Sequence, residues 1–489
     1  RIEIVRGPAG ALFGANASRG VIAISTRKAS EAGGLAVAGF GDRATHYARV
    51  SHASRIQDEW YLKVVGSWEE SHTFETPAAG IRPGKGLVRG VGRVHARRAL
   101  GEDRSLEVIL GLVEARKTTR VSPPGAIDGL TFYEASLLYE APGTRLRSSW
   151  NGMEAEAALG SSLDLIKQKK GILTFERDVH QDDDLALMAG FDLRFLHLKS
   201  RVSVAGAKDD LMAAVFARLE THLGVGLSAH ATARLEKEPA RDRLHLVPNL
   251  SLVQELGDSH SVRITAGRGF RNPGSVATYG DFPFLLSSGP IRILGNRDLD
   301  PEKQDTVEFG YEARFGDRFS LSAAVFHNWL HDLIANRLAS PTPPPVLRFA
   351  NMATGRTFGV ELETRFSPWT EGRCYVGYAF LDSRGSAEEL TTPHTLKAGL
   401  TARFLDRGIV DLNYSLLSDR REEPLGALAP PPGSHGTSHF LSARLSYRLW
   451  RNGPEIGLNV WNALDQDEAE LFGAGEPERR VSLDLRMDF

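Results

Sequence analysis

The sequence holds a single cysteine, Cys374, in 489 residues. That excludes a disulfide framework and any site built on several thiolates. It also lacks any run near the roughly 18–20 uninterrupted apolar residues of a membrane-spanning helix. Charge of one sign is missing as well. Lys+Arg 59 against Asp+Glu 61 leave a formal net charge of -2, with no surplus for a polyanion such as nucleic acid. The 15 histidines are dispersed, and no H-E-x-x-H or G-x-S-x-G occurs, so no catalytic constellation, metal set or cofactor is expected. The chain opens on Arg1-Ile2-Glu3 without a signal-peptide-like apolar stretch, which reads as an internal start. None of these absences excludes a membrane, because a transmembrane barrel carries its apolar residues at every second position.

What the sequence does contain is period-two alternation. In Val307-Glu308-Phe309-Gly310-Tyr311-Glu312-Ala313-Arg314-Phe315 every odd position is apolar and every even one polar or Gly. A strand points successive side chains to opposite faces, so one face is greasy throughout. The pattern recurs from Ala213 to Leu235, interrupted at Thr221, and again around Phe358–Phe366, Leu396–Phe404, Leu441–Leu449 and Val481–Phe489. A soluble sandwich or propeller alternates too, with its apolar face turned inward. Three details favour the inverted case. The strands run to about ten residues, against about five or six in globular proteins. Their polar face mixes both charge signs with many glycines, as suits a wet lumen. Trp60 and Trp68 share parity, and their separation projects to roughly 21 Å at about 3.4 Å per residue and about 40° of tilt, close to the spacing of two aromatic girdles.

Connection lengths add to this reading. Ser54-Arg55-Ile56-Gln57-Asp58 and Gly257-Asp258-Ser259 read as short turns, whereas residues 71–86, 114–132, 271–303, 339–355 and 418–438 read as long irregular loops rich in Pro, Gly and Ser. From residue 35 onward, about 22 strands at roughly 20 residues each, connection included, fit a large plugged barrel.

Four segments resemble the TonB-dependent outer-membrane receptor family. Arg1-Ile2-Glu3-Ile4-Val5-Arg6-Gly7-Pro8-Ala9-Gly10-Ala11-Leu12-Phe13-Gly14-Ala15-Asn16 is similar to the end of the family's plug domain, and Gly20-Val21-Ile22-Ala23-Ile24-Ser25-Thr26-Arg27-Lys28 to its closing plug strand. Gly267-Arg268-Gly269-Phe270-Arg271-Asn272-Pro273 and Gly295-Asn296-Arg297-Asp298-Leu299-Asp300-Pro301-Glu302-Lys303 resemble its paired loop signature. Asn459-Val460-Trp461-Asn462-Ala463-Leu464-Asp465 resembles its element before the last hairpin, and Phe489 its aromatic C-terminus.

The resemblance implies an all-β fold: a large antiparallel transmembrane β-barrel of about 22 strands with the C-terminal remnant of a plug. Residues 1–30 would be that remnant and residues 31–489 the barrel. The family's signal peptide, TonB-contact box and most of its plug are not matched, so an N-terminally truncated receptor is expected. In the plug motif, Gly7, Gly14 and Gly20 suit tight turns against the wall, Pro8 an exit from a strand, and Glu3 and Arg6 a polar barrel interior. The row Val481, Leu483, Leu485, Met487 and Phe489 reads as lipid-facing, and as the signal read by the barrel-assembly machinery.

Within residues 271–303, Tyr279, Phe282, Phe284, Arg292, Asn296 and Arg297 combine flat apolar surface with hydrogen-bond donors suited to an anionic metal chelate; a loop packed on its neighbours is the structural alternative. Gly80-Ile81-Arg82-Pro83-Gly84-Lys85-Gly86 has the wrong spacing for a phosphate loop and reads as a surface loop. His180-Gln181-Asp182-Asp183-Asp184 lacks a calcium loop's alternating register and reads as a solvated rim turn. Cys374 reads as a small apolar side chain at a strand start. The expected function is energy-coupled uptake of a scarce ligand, a ferric siderophore foremost, in the outer membrane of a Gram-negative bacterium; a passive channel or a non-transporting surface receptor is the alternative. Expected partners are outer-membrane lipid, the TonB energy-coupling complex, the barrel-assembly machinery and a small-molecule or metal-chelate ligand. A monomer is expected, without nucleic acid.

Overall fold

A strand that is greasy on one face needs either a second apolar layer or hydrocarbon against that face. In this chain the greasy rows meet no second layer. The computed structural model describes residues 2–7, 10–18, 20–57, 59–72, 85–118, 127–159, 162–200, 204, 206–238, 243–286, 289–386, 391–422, 433–466 and 478–489. It is a closed barrel whose wall has 22 strands, each antiparallel to its neighbours. Val307 and Phe309 on strand Glu302–Phe315 are 46% and 48% exposed on the outside, while Gln304 and Thr306 on the alternate row are 5% and 4% exposed on the inside. The same split recurs in Leu246, Leu250 and Leu252 outside, against buried Val247 inside. Trp60 and Trp68 both face outward from strand Trp60–Ser71. Two small apolar clusters exist among the described residues, one around Val247 and Phe270 and one in a loop; neither is a dry centre where wall rows meet.

Closure follows from the chain's last residues. Strand Arg480–Asp488 pairs with strand Gly33–Gly41, from Ser482 opposite Gly41 to Asp488 opposite Leu35. This removes the two edges that would otherwise leave backbone groups unpaired in lipid. Val481, Leu483, Leu485, Met487 and Phe489 form an exposed outer row, and Ser482 and Asp484 are buried inside.

One rim carries short turns, such as residues 257–259 between Leu256 and His260 and residues 316–318 between Phe315 and Phe319. The opposite rim carries the longer connections. Several segments expected to be loop or turn are strand instead. Ser54–Gln57 stay in strand Thr45–Gln57. Strand Ser105–Thr118 and strand Ile127–Ala141 absorb most of 114–132, and strand Phe319–Ser340 and strand Val346–Phe366 absorb most of 339–355. The reason is physical. Phe319–Ser340 has 22 residues, twice the roughly 9–11 needed to cross hydrocarbon. Beyond Leu330 the hydrogen-bond ladder continues through register shifts, so Leu333, Ile334, Ala335 and Leu338 no longer fall at every second position and the alternation fades before the strand ends.

The described N-terminal residues include a stretch, around Ala11 and Ala15, that packs against the inside of the wall. Ile2–Arg6 and Gly20–Ile24 form a separate two-stranded antiparallel sheet, with a one-turn helix, Gly10–Phe13, between them. That helix packs on strands Leu227–Lys237, Leu244–Leu256 and His260–Arg271.

Candidate functional site

Two groups of residues stand where a ligand entering from the long-loop rim would meet the protein. The first is the connection 271–302. It was expected to be irregular, but after strand His260–Arg271 it folds into helix Ser275–Tyr279 and a hairpin, Asp281–Leu286 with Gly289–Leu294. Phe282 and Ile293 oppose one another in that hairpin. Both are buried with Ile291 and Leu347, and Phe349 packs alongside. The hairpin then adds as a parallel strand to Val346–Arg348, Arg292 beside Val346 and Leu294 beside Arg348. Thus the described residues of this connection and the start of strand Val346–Phe366 pack as one folded unit.

The six expected ligand residues fall into distinct roles within it. Tyr279 donates its hydroxyl to Asp210 Oδ1 at 2.5 Å. Two cations lie over its ring, with the Arg297 guanidinium carbon 5.2 Å and Lys208 Nζ 5.9 Å from the ring centroid. Burial first, then the hydrogen bond to Asp210, pushes the Tyr279 hydroxyl up to about 12. Arg292 gives Nε and Nη2 to Asp281 at 2.8 Å each, and this pairing holds the Asp281 carboxyl below its usual range. Asn296 donates to the Phe349 carbonyl at 3.1 Å and accepts from the Asp298 amide at 3.0 Å. Phe282 lies in the hairpin's own core. Phe284 is on the hairpin strand, and its side chain lies outside the described residues. The structure therefore brings together Tyr279 and Arg297, ties Phe282 and Asn296 into the loop's packing, and engages Arg292 with Asp281. Lys208 and Asp210, on strand Gly206–Gly224, complete the Tyr279 cluster. Sequence reasoning missed them: nothing in their local pattern marks them off from the other polar positions of the inner row.

The second group lines the lumen around the described residues of the N-terminal segment. Arg234, fully buried, donates to Asp192 at 2.6 Å and to Glu236 at 2.7 Å, with Phe216 beneath its guanidinium at 5.6 Å. Arg194 pairs with the same Asp192 at 3.1 Å. Charges buried this deeply persist only because each finds an opposite one. The N-terminal segment is fitted to these groups. Gly14 has φ +79°, and a Cβ there would collide with the Arg194 guanidinium. Gly7 has φ +77°, and a Cβ there would stand 3.9 Å from Glu308. Asn16 donates its amide to the Phe270 carbonyl at 3.0 Å. Ala11 and Ala15 are buried against Val247 and Phe270. Glu3 is half-buried on the first strand of this segment, and Gly20 opens the second. The Arg6 side chain and Pro8 lie outside the described residues.

Other sequence candidates resolve simply. Asp182 sits in a rim turn, where its carboxylate accepts from the amides of Asp184 and Leu185 at 3.0 and 2.7 Å and contacts His180 at 2.7 Å. The histidine contact and then the two amides lower the Asp182 pKa. Residues 80–84 lie outside the described residues, and Lys85 and Gly86 open strand Lys85–Ala99. Cys374 is half-buried on strand Gly372–Gly385. Among the described residues no group of three or more His, Cys, Asp or Glu is placed to hold a metal ion.

A closed wall of 22 strands with its apolar rows outward defines a large membrane-spanning barrel of the transporter kind. The chain belongs to the TonB-dependent receptor family: the family described as "TonB dependent receptor-like, beta-barrel" matches residues 28–463. The chain is 25% identical over 513 residues to the vitamin B12 transporter BtuB of Vibrio vulnificus, covering 100% of this chain and 79% of that one. Among solved structures it resembles the siderophore receptor PirA of Acinetobacter baumannii, with a TM-score of 0.82 at 12% identity over 100% of this chain and 85% of that one. It also resembles a variant of the ferric enterobactin receptor PfeA of Pseudomonas aeruginosa, solved with enterobactin, with a TM-score of 0.80 at 14% identity over 100% and 86%. At such identities these structures speak to the fold. The relatives are receptors and transporters, and the chain is not an enzyme.

Proposed function

We propose that this chain acts in the outer membrane of a Gram-negative bacterium, importing a ferric siderophore by energy coupling. One observation carries the choice of ligand. At the long-loop rim, Lys208 and Arg297 flank the Tyr279 ring above the inner row of the wall. An aromatic ring beside two cations suits an anionic aromatic chelate, chiefly through charge-assisted hydrogen bonds from the cations. Phe282 and Asn296 serve that surface from below by holding the loop, and Arg292 does so through Asp281. Phe284 is assigned as a ligand contact from its place in the sequence.

In this reading residues 1–30 act as part of a plug. Gly7, Pro8, Gly14 and Gly20 shape its turns, and Glu3 and Arg6 meet the polar interior. Energy reaches it through the TonB complex. The outer row Val481, Leu483, Leu485, Met487 and Phe489 presents the terminal strand to the barrel-assembly machinery, and the barrel works as a monomer. A second reading, cobalamin as cargo, is favoured by the relationship to the vitamin B12 transporter.

Uptake assays in cells expressing the chain, using a labelled ferric tris-catecholate and labelled cobalamin with and without a proton uncoupler, decide between these. Catecholate uptake that the uncoupler abolishes is the expected result. Uptake indifferent to the uncoupler marks a passive channel, and binding without uptake marks a surface receptor. Uptake of cobalamin alone selects the second reading.

A further inference from the structure

The outer surface of the wall carries a feature that ligand transport leaves unused. On the lipid-facing rows, strand Leu185–Ser200 presents Phe191, Leu193 and Phe195. The following strands present alanine instead. Ala217, Ala231, Ala233 and Ala266 floor a groove of about 720 Å³ walled by Leu250 and Val307. A groove left empty in hydrocarbon forfeits dispersion contacts, so an apolar, flexible group belongs in it.

Toward the long-loop rim the groove ends at Arg268, Asp305 and Trp329. These three belong to a single cross-strand row that continues through Arg356 to Arg384. Each shares the parity of outward-facing neighbours: Arg268 with Ile264, Asp305 with Val307, Arg356 with Phe358 and Arg384 with Tyr378. Measured along their strands from His260 and Phe366 at the short-turn rim, Arg268 and Arg356 stand roughly 21 and 26 Å up the wall, at about 3.4 Å per residue and about 40° of tilt. The apolar band of such barrels is about 25 Å tall. The row therefore lies at head-group level, with Trp329 as its aromatic anchor.

Its charges are lopsided. Arg268 gives Nε and Nη2 to Asp305 at 2.7 and 2.9 Å, which leaves Nη1 without a partner among the described residues. Arg384 donates to Asp382 at 3.1 Å. Arg356 is exposed, makes no ion pair or hydrogen bond among the described residues, and stands directly opposite Arg384. Like charges opposite one another on adjacent strands repel unless an anion lies between them.

We propose that this row and the groove beneath it form one docking site for a phosphate-bearing lipid of the outer leaflet. Phosphate oxygens accept hydrogen bonds from Arg356, Arg384 and the open Nη1 of Arg268, and an acyl chain lies along the alanine floor. The assignment rests on the outer-membrane reading and on none of its claims about cargo.

Native mass spectrometry of the detergent-extracted full chain, titrated with diphosphorylated lipid A and with its dephosphorylated form, tests it. The wild type binds the phosphorylated lipid, and R356Q/R384Q weakens that binding at least about tenfold, because charge-assisted bonds to phosphate are lost. A233F/A266F, which fills the groove and alters no charge, weakens it as well. The dephosphorylated lipid binds the wild type no better than the phosphorylated lipid binds R356Q/R384Q. Heat-modifiable gel mobility identifies the folded barrels to be compared. Equal affinity of folded wild type and R356Q/R384Q for the phosphorylated lipid, or equal affinity of the wild type for both lipids, overturns the proposal. Cargo uptake is read separately, so a wrong cargo leaves this outcome unchanged.

Discussion

Arg444 holds Asp484 through two hydrogen bonds of 2.6 and 3.0 Å, reaching over the intervening strand Glu455–Trp461, where Asn459 adds a third to the same carboxylate at 2.6 Å. Asp484 is buried on the inner face of the strand that closes the barrel. The pair thus ties three strands together beside the seam. Arg444 keeps 30% of its side chain exposed, so its loss costs less than the ~3–5 kcal/mol of a fully buried pair, yet it leaves the buried Asp484 charge without its cation. R444A is therefore expected to lower the temperature at which the barrel loses its compact gel mobility. D484N, which keeps the shape and removes the charge, should do so less. Unchanged transitions in both variants would show the pair to be idle.

The N-terminal segment offers a sharper test of fit. Gly14 combines a left-handed backbone with a guanidinium where a side chain would go. G14A should loosen residues 10–17 by about 1–2 kcal/mol from the backbone term alone, seen as faster hydrogen exchange there with no change in wall strands. G14A/R194A removes the collision and leaves the backbone penalty, so protection should return only in part.

The Asp281–Arg292 pair predicts an acid response of the loop hairpin. Arg292 lowers the folded-state pKa of Asp281 below its value in the open loop. A depressed carboxylate contributes stability that is present above its unfolded pKa and is lost as pH falls through the folded one. Exchange of the Ile291 and Ile293 amides, corrected for the intrinsic rate, should therefore rise below about pH 4. R292Q should show raised exchange already at neutral pH and little further acid dependence. An acid response of equal size in R292Q would place its origin elsewhere.

Lys208 and Arg297 are predicted to contribute to ligand affinity rather than to folding. Both are cations on the face of one ring, and K208A/R297A should weaken binding of a ferric tris-catecholate by about 10–100-fold. Y279F keeps the ring and loses the bond to Asp210; it should weaken binding less than tenfold, about the scale of one neutral hydrogen bond. Isothermal titration with detergent-solubilised protein separates the two. A catecholate bound equally by wild type and K208A/R297A would remove the cluster from the binding surface.

The wall was legible in the sequence because each strand crossing hydrocarbon must repeat apolar residues every second position. Val307, Phe309 and Val481–Phe489 declare their faces without any structural help. The reach of the strands was not legible. Past the membrane Arg116 on one strand and Arg348 on another need no apolar partner, and backbone pairing continues without a side-chain signature. The loop hairpin left a trace, Phe282 with Phe284 and Ile291 with Ile293, too short to read once Pro283 interrupts it. Least legible was the lumenal network. Arg234, Glu236 and Asp192 look like any other polar inner-row residues, and only pairing across the intervening strand Gly206–Gly224 brings residues 42 positions apart into contact.

The parallel seam between Arg292–Leu294 and Val346–Arg348 has a mechanical corollary. Two neighbouring flaps riveted together cannot swing singly. A displacement of one carries its companion, because three residue pairs of backbone ladder join them.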